Sequence, residues 1–423
     1  MRDEKPSLKK VSDLVEIAGT LRASRVVVAG GDRPEDLRLV ESARDHGILD
    51  RILLVGDSRK IRSAVSAVGI EIPESDIIPA ENDESTAAAT ASLMSGREAD
   101  IVLKGNISTP IINRHLLPFA DRDTVGLTTL FDAAPISQGR PMLLTDAGVT
   151  TVCNFGRMCG LIRNAVDVAH LVMEVERPRV AILSANEKQI PSLPSTRMGA
   201  DLSERRWRDA VVYGPLSFDL ATDLGSVETK GLPDRPGARD VAGKADVLVC
   251  PGIDTANAVY KMITAMVKYG QASMACITMG FPIPYIILSR SDALSTRLES
   301  IALCSVYIQR LRGGTRDAWC EGKTEGILED RRIVRVEGMG GTVAVKAVVR
   351  GETVDEVTVP MTDGEGGVMA VAKAVGSMFV VAGTDVEEIV LSRTWGDQPE
   401  ALRELRKRVG RLAPVRVDAG KED

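Results

Sequence analysis

Short uninterrupted runs of valine, isoleucine and leucine, each followed by a helical pattern, constrain the fold of this chain most. The run at residues 25–31 ends in two glycines, and the helical spacing after it stops at Gly47. The run at 51–57 is likewise followed by a helical pattern at 58–68. Strands buried on both faces of a parallel sheet have this continuous apolar character, so the pattern predicts an α/β fold with a doubly wound parallel sheet. Further runs of this kind occupy residues 99–106, 141–148, 179–185 and 245–252.

The apolar segment at 282–292 breaks into Ser289, Arg290, Ser291 and Asp292 before a new helical pattern begins. Ligands of parallel sheets bind at the carboxyl ends of the strands. A guanidinium and two hydroxyls at a strand-to-helix turn predict a seat for a small anion, because a helix N-terminus adds free N–H groups. The alternative interpretation is a helix cap, in which Ser291 or Asp292 satisfies those N–H groups.

A second strand that ends in polar residues is predicted in the run at 99–106. Lys104 and Asn106 belong to a Lys-Gly-Asn sequence, and Ser108 and Thr109 come directly after it. A glycine-bearing loop of this kind lets backbone and ammonium groups meet an anion, so we expect these four residues to bind substrate. Lys104 alone has a second interpretation, in which its stem covers apolar surface and its ammonium group reaches solvent.

Asn257 and Lys261 follow the strand at 245–252 and lie four residues apart, on one face of a predicted helix. We expect both to face a substrate. The alternative is that they hold loop geometry or an interdomain contact.

The composition excludes several classes of function. A net charge of −6 argues against a nucleic-acid binder. The six cysteines form no CxxC pair and the three histidines are dispersed, which argues against a zinc site. The glycines at 30 and 31 lack the GxGxxG spacing of a dinucleotide site. The chain starts without an apolar signal sequence and has no run long enough to span a bilayer, so we expect a protein of the reducing cytoplasm.

At 423 residues the chain is expected to form two or three domains. The composition changes after Arg312. Residues 313–326 mix glycine with charged residues and show little periodicity, so they are predicted to be a linker. The alternating pattern from residue 327 to 423 predicts a separate small α/β domain that starts with hairpin strands.

Over roughly residues 25–311 the chain resembles the phosphate acetyltransferase and phosphate butyryltransferase family. The resemblance rests on the order and spacing of several segments rather than on any one of them. These are the Lys-Gly-Asn loop with Ser108 and Thr109, Thr145–Gly148, Arg163–Ala169, Pro178–Glu187, Tyr213–Ala221, Val241–Lys261 and Ser289–Asp292.

The resemblance implies a two-domain fold like that of isocitrate and isopropylmalate dehydrogenases. Residues 1–140 and 282–312 would form domain I, and residues 141–281 would form domain II. It also implies reversible transfer of a short acyl group between coenzyme A and inorganic phosphate, without a metal or bound cofactor. Coenzyme A is then a substrate, and a homo-oligomer of two or more subunits is expected.

The resemblance also assigns roles to individual residues. Arg290 would hold the phosphate oxygens, Ser289 would donate a hydrogen bond to the phosphate or the oxyanion, and Asp292 is the nearest carboxylate able to act on the thiol of coenzyme A. Arg114 corresponds to a substrate-binding arginine of the acetyl branch, although on its own it reads as a surface cation. The position of that branch's proposed base holds Thr296.

The chain departs from the family at three positions near this site. Thr128 replaces an arginine, Cys153 a proline and Met158 a lysine. We therefore expect any change of acyl or phosphate specificity to arise in the segment 121–140. The departures also leave open a non-catalytic protein that binds coenzyme A or acyl phosphate. A metal-dependent hydroxyacid dehydrogenase ranks below both, because the chain has no paired-aspartate metal signature.

The C-terminal segments Gly338–Val345, Met369–Leu391 and Arg408–Val417 resemble the end of a butyrate or acetate kinase. In those kinases the strand equivalent to residues 388–391 leads into a glycine-rich nucleotide loop, whereas here it continues as Ser392–Trp395. The resemblance therefore implies a remnant domain without phosphotransfer, which would serve docking, oligomer contacts or regulation.

Overall fold

The computed structural model describes residues 8–207, 209–232, 235–287 and 292–313 of the main body. In the C-terminal part it describes residues 332–339, 342–349, 352–360, 388–391 and 415–417, together with helical residues 371, 374, 375, 403, 405, 408 and 409.

The first half of the main body alternates strands and helices, as the sequence predicts. Its elements are α1 (Asp13–Gly19), β1 (Ser24–Ala29), α2 (Pro34–Asp45), β2 (Leu49–Gly56), α3 (Ser58–Val68), β3 (Ile77–Pro79), α4 (Asp83–Ser95), β4 (Ile101–Lys104), α5 (Thr109–Leu116), β5 (Gly126–Ala133) and β6 (Met142–Thr145).

The second half continues the alternation with longer helices at its end. Its elements are α6 (Phe155–Leu171), β7 (Arg179–Leu183), α7 (Pro194–Glu204), β8 (Val211–Leu216), α8 (Phe218–Thr222), α9 (Leu224–Lys230), α10 (Ala238–Val241), β9 (Val247–Val249), α11 (Ile253–Lys268), β10 (Ala272–Met279), β11 (Tyr285–Ile286) and α12 (Leu294–Arg312).

These strands form one sheet of eleven strands in the order β3-β2-β1-β4-β11-β10-β5-β6-β9-β7-β8. The strands from β3 to β11 are parallel to one another, and so are those from β6 to β8. Strands β10 and β5 join the two groups, and each is antiparallel to both of its neighbours. The two parallel groups therefore run in opposite directions. The carboxyl ends of the strands in one group lie on the opposite side of the sheet from the carboxyl ends of the strands in the other group.

The mostly parallel sheet confirms the predicted α/β fold, and its antiparallel centre is a feature that the sequence did not predict. Strand β5 contains Thr128, Thr129 and Asp132, so it lacks the continuous apolar run by which the other strands were identified. Its position in the middle of the sheet is set by its pairing with β10 and β6, which are distant in sequence. Local sequence therefore carried no signal for this strand.

Both faces of the sheet are covered, as the sequence predicts for doubly wound strands. In β1, Val26 and Val28 belong to one core, while Val27 and Ala29 belong to another on the opposite face. The helices α1, α6 and α12 contribute to the first core. Each buried valine or leucine side chain contributes roughly 1.5–3 kcal/mol through its removal from water. The division into a domain of residues 1–140 and 282–312 and a domain of residues 141–281 stays a prediction.

The C-terminal part has its own sheet, formed by β12 (Arg332–Met339), β13 (Thr342–Val349), β14 (Glu352–Pro360), β15 (Glu388–Leu391) and β16 (Val415–Val417). The order is β14-β13-β12-β15-β16, with antiparallel pairing among the first three strands, which confirms the predicted hairpins. The predicted linker lies outside the described residues beyond Gly313. The buried side chains of this unit include Val336, Val345, Ile389, Leu391, Leu405 and Val409.

Candidate functional site

The loops that follow β1 and β4 pack against each other through their backbones, at the carboxyl ends of these two strands. Gly30 has φ +76°, and a Cβ at this position would lie 2.5 Å from the carbonyl group of Asn106. The amide of Asn106 donates to the carbonyl oxygen of Gly30 at 2.8 Å. Only glycine allows this approach, so residue 30 fixes the position of the predicted Lys-Gly-Asn loop.

Asn106 is exposed, and both the oxygen and the nitrogen of its side-chain amide form hydrogen bonds with the loop after β1. Its oxygen accepts a hydrogen bond from Arg33 at 2.8 Å, and its nitrogen donates to Asp32 at 3.0 Å. Lys104 is half-buried at the end of β4, and its Nζ lies 3.4 Å from the carbonyl oxygen of Gly105. Cationic and amide groups are therefore gathered where the sequence predicts an anion.

Ser108 and Thr109 form the start of α5. The amide of Ser108 donates to Asp83 at 3.0 Å, and its side chain makes no capping hydrogen bond to the helix. Thr109 is the first helical residue. Two hydroxyl groups thus lie beside the amino end of a helix, where backbone N–H groups favour an anion.

Arg114 lies in the last turn of α5 and forms an ion pair with Glu84 of α4. Its side chain is 64% exposed, and His115 also contacts Glu84, at 2.8 Å. This geometry is that of a surface ion pair, which corresponds to the alternative interpretation. A role for Arg114 in substrate binding stays a prediction.

Strand β11 ends beside β4, with Ile286 paired to Leu103. The segment that follows β11 therefore starts at the same edge as the Lys-Gly-Asn loop. Ser289 and Arg290 lie outside the described residues, as does Ser291, so their predicted roles stay predictions. The described chain resumes at Asp292.

Asp292 is buried and lies near Tyr260 of α11, whose pKa is raised first by burial and also by the charge of Asp292. Helix α12 begins at Leu294 with Ala293 at the N-cap, so Asp292 does not occupy the capping position. The helix-cap alternative for this segment stays a prediction.

Tyr260 was not predicted as a site residue, yet it connects several that were. Its hydroxyl lies 3.8 Å from the sulfur of Cys276 in β10. The Nζ of Lys261 lies 5.2 Å from the centre of the Tyr260 ring, a cation–π distance. A buried tyrosine requires a partner for its hydroxyl, and this requirement was the one sequence signal available.

The hydroxyl of Tyr260 and the thiol of Cys276 both remain protonated at neutral pH. Burial raises the pKa of Tyr260 well above its usual value. Burial also raises the pKa of Cys276 to about 11. The thiol can therefore donate to the Tyr260 oxygen, and the Cys276 sulfur lies 3.6 Å from the hydroxyl of Thr129.

Asn257 and Lys261 are both exposed on α11, as their spacing predicts. The Asn257 side chain donates to the carbonyl oxygen of Ala147 at 3.0 Å, which ties α11 to the loop after β6. This contact is the loop-holding role given as the alternative for Asn257. Substrate binding by these two residues stays a prediction.

A cleft of about 560 Å³ lies on the side of the sheet opposite the Lys-Gly-Asn loop, where β5 begins and β6 ends. Arg122 and Arg157 line it, and neither was identified from the sequence. Arg122 donates to Asn164 at 2.8 Å and pairs with Asp167, so its charge is balanced within the protein. Burial lowers the pKa of Arg157. The cleft includes residues 121–125, part of the segment to which the sequence assigns specificity.

The positions that depart from the family pattern are mostly internal. Thr128 and Met158 are fully buried, and Cys153 is half-buried with its pKa raised by burial. Thr296, at the family's base position, is also buried, and its carbonyl oxygen accepts from Ser300 at 2.6 Å. The threonine at 128 therefore does not supply the charge of the arginine that it replaces.

The described part of the chain contains no group of three or more histidine, cysteine, aspartate or glutamate side chains placed to hold a metal ion. Among the same residues, no helix has the length and apolar character needed to cross a bilayer.

Relatives of this chain are phosphate acyltransferases. The phosphate butyryltransferase of Clostridium acetobutylicum is 30% identical over 311 residues, which cover 71% of this chain and 98% of the relative. The phosphate acetyltransferase of Rickettsia felis is 31% identical over 264 residues, 60% of this chain and 72% of the relative.

Solved structures of similar fold come from the same group of enzymes. A branched-chain phosphotransacylase from Enterococcus faecalis superposes with a TM-score of 0.56 at 25% identity, covering 67% of this chain and 99% of that protein. A phosphotransacetylase from Streptococcus pyogenes gives a TM-score of 0.54 at 18% identity, covering 70% and 97%, and so supports the fold alone. The sequence model of the phosphate acetyl/butaryl transferase family matches residues 88–305, and the chain belongs to this family.

Proposed function

We propose that this protein transfers a short-chain acyl group reversibly between coenzyme A and inorganic phosphate. The single observation that carries the proposal is the membership of the phosphate acetyl/butaryl transferase family over residues 88–305, a range that includes the buried carboxylate of Asp292. A carboxylate close to a bound thioester can exchange a proton with the thiol of coenzyme A. Its position next to the predicted anion seat gives it a substrate to act on.

In the direction of acyl phosphate synthesis, a phosphate oxygen attacks the thioester carbonyl carbon and forms the new C–O bond. The tetrahedral oxyanion collapses, the C–S bond breaks, and the thiolate of coenzyme A takes up a proton. Arg290 holds the phosphate oxygens, Ser289 donates to the phosphate or the oxyanion, and Asp292 exchanges the thiol proton. Bringing the two substrates together supplies much of the rate, so no covalent acyl-enzyme is needed.

The remaining predicted residues bind the substrates in this proposal. Lys104, Asn106, Ser108 and Thr109 form the wall at the end of β4. Arg114, Asn257 and Lys261 contact the more distant parts of coenzyme A. Coenzyme A is a substrate, and the reaction uses neither a metal nor a bound cofactor. The working compartment is the cytoplasm.

We also infer that the protein is a homo-oligomer built through α11. The exposed residues Thr255, Ala258, Met262, Ala265 and Tyr269 recur at intervals of three and four and form a stripe along this helix. Met262 is 67% exposed and Tyr269 76% exposed. An antiparallel pair of α11 helices would bury this α11 stripe against itself, as a twofold interface requires. The C-terminal unit serves docking, oligomer contacts or regulation.

The activity is tested by measuring thiol release from a panel of acyl-coenzyme A thioesters in the presence of phosphate. We expect turnover with at least one short-chain thioester, and a loss of kcat/KM of at least about a hundredfold in Arg290→Ala. Arg62→Ala, which removes an exposed guanidinium elsewhere, is the control. Absence of thiol release from the folded wild type contradicts the proposal. Tight ligand binding without turnover in calorimetry would instead favour the non-catalytic alternative.

A further inference from the structure

We propose that Asp32 and Arg33, in the loop after β1, are positioning residues that hold the side chain of Asn106 for contact with the phosphate substrate. The inference rests on the proposed function, because it gives these two residues a part in the reaction described above. Neither was identified from the sequence, and both act through Asn106 rather than on the reacting atoms.

The two side chains fix the orientation of the Asn106 amide. Its nitrogen donates to Oδ1 of Asp32 at 3.0 Å, and its oxygen accepts from Nη2 of Arg33 at 2.8 Å. A guanidinium can only donate and an ionised carboxylate can only accept, so one orientation of the amide satisfies both contacts. The amide nitrogen carries two hydrogens, and Asp32 accepts one of them. The second N–H is the group that we assign to a phosphate oxygen.

Arg33 is held in place by the protein on its other side. Pro34 is the first residue of α2 and restricts the backbone of Arg33 to extended conformations, in agreement with its φ of −97° and ψ of 123°. Nη1 of Arg33 lies 3.7 Å from Oδ2 of Asp36, a side chain that is 1% exposed. Asp36 also pairs with Arg297 of α12. The guanidinium that contacts Asn106 is therefore anchored to a buried carboxylate.

The backbone of the Lys-Gly-Asn loop is fixed independently of these side chains. The amide of Gly105 donates to the carbonyl oxygen of Ala29 at 2.9 Å, and the amide of Asn106 donates to that of Gly30 at 2.8 Å. These hydrogen bonds join main-chain atoms, so they remain when the side chain of Asp32 or Arg33 is replaced. Either substitution should therefore leave the loop in place and release only the side-chain amide of Asn106.

The charge of Asp32 makes the inference sharp. Lys104 ends β4 directly before this loop and supplies a positive charge for the expected anion. A carboxylate close to bound phosphate repels it, so on charge alone the removal of Asp32 would strengthen phosphate binding. If Asp32 orients the amide of Asn106, its removal weakens phosphate binding. The two accounts predict changes of opposite sign.

Asp32→Ala distinguishes the two accounts in the assay of thiol release. We expect KM for phosphate to rise about fivefold or more, with kcat and KM for the thioester changed by less than about twofold. Asp32→Asn keeps a carbonyl oxygen in place of the acceptor and should return KM for phosphate to the wild-type value or below it. Arg33→Ala removes the second contact and should raise KM for phosphate in the same way as Asp32→Ala.

Asp57→Ala is the matched control. Asp57 follows β2, the neighbour of β1 in the sheet, and its carboxylate accepts from the amides of Arg59 and Lys60 at 2.9 and 3.3 Å. The variant removes the same charge after an adjacent strand and should leave KM for phosphate unchanged. Urea unfolding of each variant verifies that folded proteins are compared.

A double-mutant cycle tests whether Asp32 acts through Asn106. In the Asn106→Ala background, Asp32→Ala should no longer raise KM for phosphate, because the group that it positions has gone. An unchanged or lowered KM in Asp32→Ala alone overturns the inference, and so does an equal rise in both backgrounds. Titration with inorganic phosphate, followed by phosphorus NMR, makes the same comparison without turnover. Absence of turnover in the wild type, by contrast, contradicts the proposed function itself.

Discussion

Glu299 of α12 and Asp132 of β5 place two carboxyl groups in the same buried layer of the protein. Glu299 is 6% exposed, and its Oε2 has no hydrogen-bond partner among the described residues. Asp132 is 9% exposed and accepts from the amide of Val11 at 2.6 Å. Burial, reinforced by the charge of Asp132, raises the pKa of Glu299 to about 7.

The first prediction concerns stability against pH. Between pH 4.5, the ordinary pKa, and pH 7 the folded protein keeps a proton on Glu299 that the unfolded chain releases. Stability therefore falls as the pH rises through this window and stays lower above it, by about 3 kcal/mol. Glu299→Gln should raise the free energy of unfolding at pH 8 by up to that amount and have little effect at pH 5. Urea unfolding at the two pH values measures the difference, with the exposed Glu98→Gln as control. An equal change at both pH values would contradict this account.

A second prediction concerns the buried ion pair between α12 and α2. Asp36 is 1% exposed and pairs with Arg297, whose side chain is 14% exposed. Removing Arg297 leaves the buried Asp36 carboxylate with Arg33 alone, at the longer distance of 3.7 Å. Arg297→Ala should therefore lower the free energy of unfolding by about 3 kcal/mol. Arg62→Ala, which breaks an exposed pair with Glu74, should cost less than about 1 kcal/mol. Equal losses in chemical denaturation would argue against the buried pair as a stabilising contact.

The third prediction tests the role of Gly30 in placing the loop after β4. Gly30→Ala puts a methyl group 2.5 Å from the backbone of Asn106, so that this loop has to move. We expect both a loss of stability and a rise in KM for phosphate or coenzyme A. Gly69→Ala is the matched control, because Gly69 has a similar φ of +78° with nothing within 4 Å of the added carbon. It should cost only about 1 kcal/mol and leave KM unchanged. An unchanged KM in a folded Gly30→Ala protein would separate this loop from substrate binding.

The fourth prediction concerns the α11 stripe. Met262→Glu introduces a charge in the middle of the proposed twofold interface, where it would lie opposite its own copy. Light scattering should detect a shift from oligomer to monomer. Leu224→Glu changes an exposed apolar residue of α9, outside the stripe, and should leave the mass unchanged. A wild-type protein that is already monomeric at high concentration would contradict the proposed interface.

Much of the fold was accessible from the sequence because parallel strands carry a local signature. The predicted helix at 58–68 coincides with α3, the apolar run at 51–57 overlaps β2, and the run at 179–185 contains β7. The family could also be identified, since its motifs are short segments in a fixed order. Strand β5 was not predicted, because its polar residues interrupt the apolar run that identifies a buried strand.

For the candidate site too, some features could be predicted from the sequence and others could not. Asp292, Asn257 and Lys261 could be proposed from residue type and spacing alone. The ion pair of Arg114 with Glu84 could not, because the two residues come from different helices. Tyr260 reads in the sequence as one apolar residue among many on α11.

The amino-acid sequence by itself determined the alternation of strand and helix, the family, and the residue types that could bind an anion or exchange a proton. These features depend on neighbours along the chain, whose spacing is fixed by covalent geometry and helical periodicity. Only the tertiary structure decided which of those groups meet. The hydrogen bond from Asn257 to the carbonyl oxygen of Ala147 joins residues 110 positions apart, and the opposed directions of the two parallel groups follow from strand pairings between distant parts of the chain. Such contacts arise from packing around a shared core, and no local pattern encodes them.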